Sequence, residues 1–421
     1  MKAILIVTEA YLIGGLETHI RGEVSALTQL GCQVHMAVGT AFNDMLRPIE
    51  LVSLTTGVAM SPEASELDLV QSVELIRRII RRNSIDCVHA HPFISLIPAF
   101  IAAALENVKF VVTLHGPSSL SGVYGPIYDF FVKSLIFPGS SLVISVSKEI
   151  LQLTRPFLGS SNFALLPNGV EFSELGADVE YPFADTRWLL VSRLDDSKII
   201  GIMDFILKAK ASGIPGVAVV GDGSAKEGLV QWSKENDVEG FVEFLGFSDT
   251  VPNIMRKYAG VAGMGRVVLE GIAAEKCVAM VGYDGVKGIV DERLFDEAQY
   301  ANFSGRHLEV INAEEFSKQI SAAANLNRKA FRRKILSEHS EFNVWKSFLR
   351  KLRWRKPSRN NIAIDFYLSL RSSVEDAGPA PFLQSYSVLR RLGEVVHGRS
   401  NFETYLAGAY VLCKERFSHR D

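Results

Sequence analysis

The N-terminal part of the chain alternates short apolar runs with segments of helical periodicity. Residues 3–7 are apolar throughout, as in a buried parallel strand, and after two glycines Ile20, Val24 and Leu27 recur at helical spacing. Each later apolar run is followed by a turn or a helical pattern, which predicts a doubly wound α/β domain over residues 1–170. Its six predicted strands lie within residues 3–7, 33–39, 85–91, 109–116, 141–147 and 162–169.

A second series of the same kind begins near residue 187, after a weakly patterned acidic stretch that we interpret as a linker. Most of its apolar runs end in a glycine-bearing loop, which predicts a second Rossmann-like domain over residues 187–340. Two open parallel sheets whose carboxyl ends face each other leave a crevice, and we expect the ligand there. The five predicted strands lie within residues 188–194, 216–223, 242–247, 258–265 and 277–285.

The last part of the chain, residues 341–421, carries helical patterns and no strand signal. Its first segment, residues 345–359, is basic and contains tryptophan, and Pro357 ends its helical pattern. Two interpretations are open: the segment docks on anionic lipid headgroups, or it packs back across the first domain with its basic face in solvent. We interpret the remainder as a small helical appendage.

Composition narrows the class of protein. The net charge of −2 gives no electrostatic reason to expect nucleic acid as a partner. The four cysteines lie far apart without the spacing of a metal site or a disulfide framework, which predicts reduced thiols in the cytoplasm. The longest apolar stretch, residues 92–105, is shorter than the ~18–20 residues of a membrane span, and the first run reaches Glu9 too soon for a signal peptide.

Two glycine-bearing loops are candidates for phosphate or sugar binding. Gly14 and Gly15 open the first helix, where backbone N–H groups and the helix dipole favour an anion. Gly221 begins a tight turn after a strand of the second domain. A purely structural turn is an equal interpretation of both loops. Neither is the GxGxxG fingerprint, which disfavours a nicotinamide enzyme.

Charged residues supply a second kind of candidate. Arg193 and Lys198 lie five positions apart across a turn, a spacing that suits two cations straddling a diphosphate. The alternative is a solvated loop whose charges are offset by Asp195 and Asp196.

The stretch 263–271 combines both kinds of candidate, a glycine-bearing turn and charged residues. Gly265 closes a strand, a helix is predicted to begin near Arg266, and Glu270 would reach a pair of sugar hydroxyls such as those of ribose. A glutamate on the helix surface is the alternative. Three histidines end predicted strands on the crevice side, where structural and site roles both stay open: His89, His91 and His115.

In order and spacing these pieces resemble the family 4 retaining glycosyltransferases of GT-B fold, over roughly residues 1–345. The resemblance rests on GGLETHIRGEVSALTQLGCQV, IDCVHAH, VVTLHG, VISVSKE, LLPNGVEF, VSRLDDSK, VVGDGS, VEFLGF and VLEGIAAEKCVAMV. It implies an acceptor-side first domain and a nucleotide-sugar-binding second domain. It also implies transfer of a hexose from a UDP- or GDP-type donor with neither a metal nor another cofactor.

The resemblance implies roles for single residues as well. The acceptor side would hold Glu17 and His91. The catalytic residues would be His115 beside the transferred sugar, with Arg193 and Lys198 neutralising the leaving diphosphate. The base would be held by backbone near residues 246–249. The donor-binding residues would be Gly14, Gly15, Arg193, Lys198, Gly221, Gly265, Arg266, Val268, Leu269 and, at the ribose, Glu270.

One position departs from the family pattern. Eight positions before Glu270, where the family carries a glutamate that contacts the donor sugar, this chain has Ala262. The donor sugar is therefore open, and an inactive nucleotide-sugar-binding or assembly protein stays an alternative. With the basic segment 345–359, the resemblance favours synthesis of bacterial surface polysaccharide, either lipopolysaccharide or capsule. The acceptor would be a saccharide or lipid-linked, at the inner face of the plasma membrane.

Overall fold

The computed structural model describes residues 2–12, 14–120, 124–158, 162–171, 185–248, 251–323, 326–358, 360–374 and 380–397. The predicted linker, from residue 173 to 185, lies outside these ranges up to residue 184, and the predicted last helix at residues 401–417 lies outside them entirely.

The apolar runs of the first domain form a seven-stranded, wholly parallel sheet in the order β3-β2-β1-β4-β5-β6-β7. The strands are β1 Ala3–Tyr11, β2 Gln33–Phe42, β3 Ser53–Thr55, β4 Cys87–Ala90, β5 Lys109–Leu114, β6 Leu142–Ser145 and β7 Phe163–Leu165. The helices are α1 Gly15–Gln29, α2 Glu66–Arg82, α3 Leu96–Glu106, α4 Pro126–Phe130, α5 Phe137–Gly139 and α6 Lys148–Thr154, with a π-helical stretch at Phe131–Ile136.

Both faces of this sheet are buried, which explains why its strands are continuous apolar runs rather than alternating ones. In β1, Leu5 and Val7 pack towards α2 and α3, whereas Ile4 and Ile6 pack towards α1. Parallel strands at the centre of such a sheet end at one edge, and the loops after β1, β4 and β5 therefore lie side by side.

The second domain has a six-stranded sheet in the order β10-β9-β8-β11-β12-β13, in which only β13 runs antiparallel to its neighbour. Its strands are β8 Asp185–Val191, β9 Val217–Val220, β10 Val242–Gly246, β11 Tyr258–Gly263, β12 Cys277–Val281 and β13 Val286–Ile289. Its helices are α7 Ile199–Ala211, α8 Lys226–Glu235, α9 Val251–Met255, α10 Arg266–Ala273, α11 Glu292–Ala298, α12 Ala313–Ala322 and α13 Arg328–His339. Two doubly wound sheets, as predicted, therefore form the architecture.

The last described helices return to the first domain: α14 Glu341–Leu352, α15 Asn361–Arg371 and α16 Tyr386–His397. On α14 the apolar stripe of Trp345, Phe348 and Leu352 is buried against α1. On α15, Phe366 and Tyr367 join the core on the opposite face of the first sheet. Helix α14 thus matches the interpretation in which the basic segment packs back across the first domain. Within the described residues, no helix has the length and apolar content that a bilayer span requires.

Helix α7 docks on the second sheet through a backbone-to-backbone contact, which gives a stability prediction. A Cβ on Gly201 would lie 1.9 Å from the carbonyl oxygen of Gly282, whereas a Cβ on Gly228 in α8 would meet no atom within 4 Å. We expect Gly201→Ala to lower the free energy of unfolding by about 1–3 kcal/mol through overpacking. The matched Gly228→Ala should raise it by up to about 1 kcal/mol, because alanine favours the helix. Urea unfolding of both variants checks this, and equal stabilities would contradict the packing described for α7.

Candidate active site

The carboxyl ends of the two sheets face each other across a cleft of about 1430 Å³. Loops from both domains line it, and the predicted residues that it brings together are Gly14, Gly15, Glu17, His115, Arg193, Lys198, Gly221, Gly265, Arg266 and Glu270. Residues separated by more than 250 positions thus share one cavity, in the place expected for a ligand of two open α/β sheets.

The N-terminus of α1 lines this cleft, and the first-turn carboxylate of Glu17 accepts a hydrogen bond from the Gly14 N–H. A Cβ on Gly14 or Gly15 would meet no atom within 4 Å. The cleft is therefore open beside the positive end of the helix dipole, which Glu17 partly offsets. Beside them Glu17 is buried, and burial raises the pKa of its carboxyl although Arg21 lies 3.6 Å away.

The two predicted cations differ in their surroundings. Arg193 has a side chain that is 62% exposed and pairs with Asp195 at 2.9 Å. Lys198 is half-buried and makes no ion pair with any residue that the structure describes. Burial, followed by the charge of Arg193, lowers the pKa of its ammonium group. An unpaired, partly desolvated ammonium beside an arginine attracts a polyanion such as a diphosphate.

The turn after β9 needs its glycines for a structural reason. Gly221 and Gly223 have φ values of +148° and +155°, and Cβ atoms there would lie 1.7 Å from the carbonyl oxygen of Ser192 and 2.4 Å from that of Leu194. Because both residues are glycines, this turn can pack closely against the backbone of the loop that carries Arg193. Gly221 therefore has a structural role, and its role in ligand binding stays a prediction for a turn that lines the cleft.

Helix α10 brings a buried arginine to the domain junction. Gly265 begins the helix at φ +63°, and Arg266 donates to the carbonyl oxygen of Gly169 at 2.6 Å and to Glu341 at 3.1 Å. Glu270 lies 3.5 Å from the same guanidinium. Burial raises the pKa of both carboxyls, while the Arg266 charge opposes that rise. The predicted ribose glutamate is therefore an interior residue of the cleft wall and not a glutamate on a solvated helix surface.

Four residues singled out from the sequence lie behind the cleft surface rather than on it. Val268 and Leu269 have fully buried side chains, and the Val268 N–H already donates to the carbonyl oxygen of Gly265. His91 is fully buried and contacts His115. Ala262 is a buried residue within β11 that packs in the apolar core. Among the described residues that line the cleft, none of these four occurs.

A buried carboxylate organises the strand-end histidines. Glu23 of α1 accepts hydrogen bonds from His89 Nδ1 at 2.5 Å and from His91 Nε2 at 3.0 Å. His89 also contacts Thr113 Oγ1 at 2.8 Å, and His91 contacts His115 at 2.9 Å. The histidines therefore form one connected network, of which only His115 reaches the cleft.

Two overlapping groups in this region have the side chains that transition metals bind. Within each group the polar atoms lie within 4.8 Å of one another, and the groups are His19, His91, His115 and Glu23, His89, His91. Hydrogen bonds among these side chains account for the close approach of most of their atoms. His19 Nε2 is the exception, because it is buried without a hydrogen-bond partner among the described residues.

Sequence reasoning missed His19, Glu23, Asn168 and Glu341. Glu23 lies on the apolar stripe of α1, and a charge on that stripe was the available signal. Asn168 contacts His19 at 3.2 Å and donates to Asn302 of the other domain at 3.1 Å. Glu341 begins α14, and its contact with Arg266 leaves no local sequence signal.

Comparisons with known proteins bear on this geometry. Residues 13–174 match the model of the family described as Glycosyltransferase Family 4. A glycosyltransferase from Rickettsia africae superposes with a TM-score of 0.63 at 16% identity, covering 84% of this chain and 98% of that one. The Anabaena HepE protein in complex with UDP-glucose gives 0.62 at 16% identity, with 84% and 100% covered. The lipopolysaccharide outer core galactosyltransferase WaaB gives 0.55 at 14% identity, with 83% and 99% covered. A search of curated proteins gives no match. The predicted GT-B fold is confirmed.

The buried Arg266 gives a second stability prediction. Arg266→Ala leaves Glu270 and Glu341 as buried carboxylates without their cation, and we expect a loss of about 3–5 kcal/mol in the free energy of unfolding. Adding Glu341→Gln should restore part of that loss. Arg21→Ala is the matched control, because Arg21 is more exposed and its pair with Glu17 should contribute less than about 1 kcal/mol. Chemical denaturation decides the matter, and equal losses for the two arginines would refute a buried role for Arg266.

Proposed function

We propose that this chain, a glycosyltransferase with the GT-B fold and a family 4 N-terminal domain, transfers a hexose from a UDP- or GDP-type nucleotide-sugar with retention of configuration. One observation carries the proposal: the unpaired Lys198, Arg193 and the N-termini of α1 and α10 converge on a single cleft between the domains. The HepE structure was solved with UDP-glucose, which supports a nucleotide-sugar as the occupant of this type of cleft.

The proposed reaction is metal-independent and uses positive charge where negative charge develops. As the bond between the sugar C1 and the diphosphate oxygen breaks, the charge on the leaving diphosphate is stabilised by Lys198, Arg193 and the helix N-termini. The acceptor hydroxyl attacks C1 from the same face, and its proton passes to the departing phosphate oxygen. Glu270 holds the ribose, and His115 lies beside the transferred sugar.

The acceptor is proposed to be a saccharide or lipid-linked molecule of bacterial surface polysaccharide synthesis, made on the cytoplasmic side. The name of the WaaB enzyme supports this class. So does the rim of the first domain, where residues 46–50 line the cleft and Ile49 is 93% exposed. A peripheral membrane contact of the segment 345–359 would rest on the exposed Trp354 and its basic neighbours, because Trp345 is buried.

Binding and transfer assays test the diphosphate site. We expect Arg193→Ala and Lys198→Ala each to weaken UDP binding by about 1.5–3 kcal/mol, because each removes a charge-assisted contact. Binding of uridine, which has no phosphate, should be unchanged. Lys226→Ala is the control, because it removes a cation at the start of α8, after the next strand, that is paired with Asp222 at 3.3 Å. Calorimetry with GDP, ADP and CDP and their nucleosides in parallel identifies the base.

The same variants distinguish a transferase from a nucleotide-sugar-binding protein without activity. Hydrolysis or transfer from a pool of nucleotide-sugars should be present in the wild-type protein and lost in both cleft variants. Donor binding without any turnover would favour the inactive alternative, and loss of uridine binding together with UDP binding would show that the diphosphate is misplaced.

The ribose contact has a separate test. Wild-type protein should bind UDP more tightly than 2′,3′-dideoxy-UDP by about 1.5–3 kcal/mol, since only UDP offers hydroxyls to the Glu270 carboxylate. In Glu270→Ala this difference should vanish, whatever the variant does to overall stability. Titration calorimetry of the two ligands on the two proteins gives the answer. A discrimination that survives the substitution would place the ribose elsewhere.

A further inference from the structure

Glu23 is a charged side chain in the interior of the first domain, out of reach of the cleft. Its relative exposure is 0%, as is that of His89 and His91. Burial acts to raise the pKa of Glu23, but the charge of His89 and the hydrogen bonds of both histidines outweigh it and lower the pKa to about 2. A carboxylate that is ionised in this way offers only acceptors, so both histidines must donate to it.

The direction of the next hydrogen bond follows. His91 gives the proton on Nε2 to Glu23, and burial lowers its pKa, so the ring is neutral and its Nδ1 is an acceptor. That acceptor lies 2.9 Å from His115 Nε2, which must therefore be the donor. Burial also lowers the pKa of His115 well below its ordinary value, so this ring is neutral as well. A neutral imidazole with a proton on Nε2 has a bare lone pair on Nδ1.

The other end of the network, formed by His89 and Thr113, is compatible with this assignment of protons. His89 donates from Nδ1 to Glu23, and its Nε2 lies 2.8 Å from Thr113 Oγ1, a hydroxyl that can donate or accept. Every polar atom from Thr113 to His115 Nε2 therefore has a partner, whichever way the Thr113 hydroxyl points. Reversing the tautomer of His91 would set its bare Nε2 against the Glu23 carboxylate, which are two acceptors in a buried site.

We infer that Glu23 is a positioning residue that acts through His91 to fix the tautomer of His115, so that His115 offers a ligand only a hydrogen-bond acceptor, Nδ1. The inference deepens the proposed function and rests on it for the place of His115 beside the transferred sugar. The group that contacts His115 must then be a donor, such as a sugar hydroxyl. A carboxylate or a carbonyl oxygen at that point would face a lone pair.

The tautomer is measured directly on the wild-type protein, without reference to activity. In protein labelled with ¹⁵N-histidine, long-range ¹H–¹⁵N spectra distinguish protonated from bare ring nitrogens, and His115→Asn identifies the His115 signals. We expect a protonated Nε2 and a bare Nδ1 on His115. A proton on Nδ1, a charged ring, or a metal ion in place of the proton between His91 and His115 would each overturn the inference.

Kinetics test the functional part of the inference. Glu23→Leu removes the acceptor that orders the network, and we expect kcat to fall at least about tenfold with little change in the donor KM, as when a residue that orients a functional histidine is lost. Thr113→Val is the matched control, because it removes a hydrogen bond from the same network at the end remote from His115. It should leave kcat within about twofold.

The outcomes separate this inference from the proposed function. If wild-type protein shows the expected His115 tautomer but transfers no sugar, the proposed function is wrong and the tautomer assignment still holds. Equal loss of kcat in Glu23→Leu and Thr113→Val would reduce Glu23 to a structural residue. If Glu23→Leu does not fold, the wild-type spectra still decide the tautomer, and His91→Gln replaces it in the kinetic comparison.

Discussion

The guanidinium of Arg266 is a buried positive charge at the point where the two domains and the returning chain meet. A charge removed from water is tolerated only when it is paired, and here its partners come from three places: Gly169 at the end of the first domain, Glu270 on its own helix, and Glu341 at the start of α14. This requirement holds the end of the first domain, helix α10 and the start of α14 together. The close approach is possible because residue 169 is a glycine. A Cβ at this position would lie only 2.7 Å from Glu341 Cα.

This junction connects the proposed donor site to the relative position of the domains. Glu270 and Glu341 share one arginine, and the pKa of each is raised by burial. A nucleotide whose ribose hydroxyls donate hydrogen bonds to Glu270 would take over part of the role that Arg266 has for this carboxylate. Arg266 would then interact more strongly with Gly169 and Glu341. Donor binding and contact between the domains would then support each other through a single side chain, which is linkage in its simplest form.

Most of the fold is predictable from the sequence because both sheets are buried on two faces, and such strands are continuous apolar runs that the helices separate. The strands β3 and β13 are the exceptions. Each has only three or four residues at a sheet edge, and β13 contains Lys287 and Gly288, so neither produces an apolar run. The helix α14 was recognised, and the sequence left two partners open for its apolar face, the first domain and a membrane. An amphipathic basic helix has the same pattern whether a protein surface or a membrane covers its apolar face.

The residues of the candidate site likewise divide into those that the local sequence pattern indicates and those that it does not. Arg193, Lys198 and Glu270 follow strands or lie in the first turns of a helix, positions where a parallel sheet brings ligands, so the local pattern singles them out as candidates. Glu23 differs, because its meaning depends on His89 and His91, which are 66 and 68 positions away in the chain. A lone glutamate on the apolar stripe of a helix indicates a buried partner but does not identify it.

The sugar end of the cleft shows how the structure changes a conclusion drawn from spacing. Counting residues placed Ala262 where relatives have a carboxylate, yet the side chain of Ala262 packs in the core of the second domain. Loss of a carboxylate there need not leave the cleft without polar groups for a sugar, since the first domain brings Glu17 and His115 to its lining. Of these two residues, only His115 belongs to the buried hydrogen-bond network, which determines which of its ring nitrogens is the donor. Under the proposed function, recognition of the sugar would then draw on the first domain through His115, and through Glu23 on a charge that does not contact the ligand.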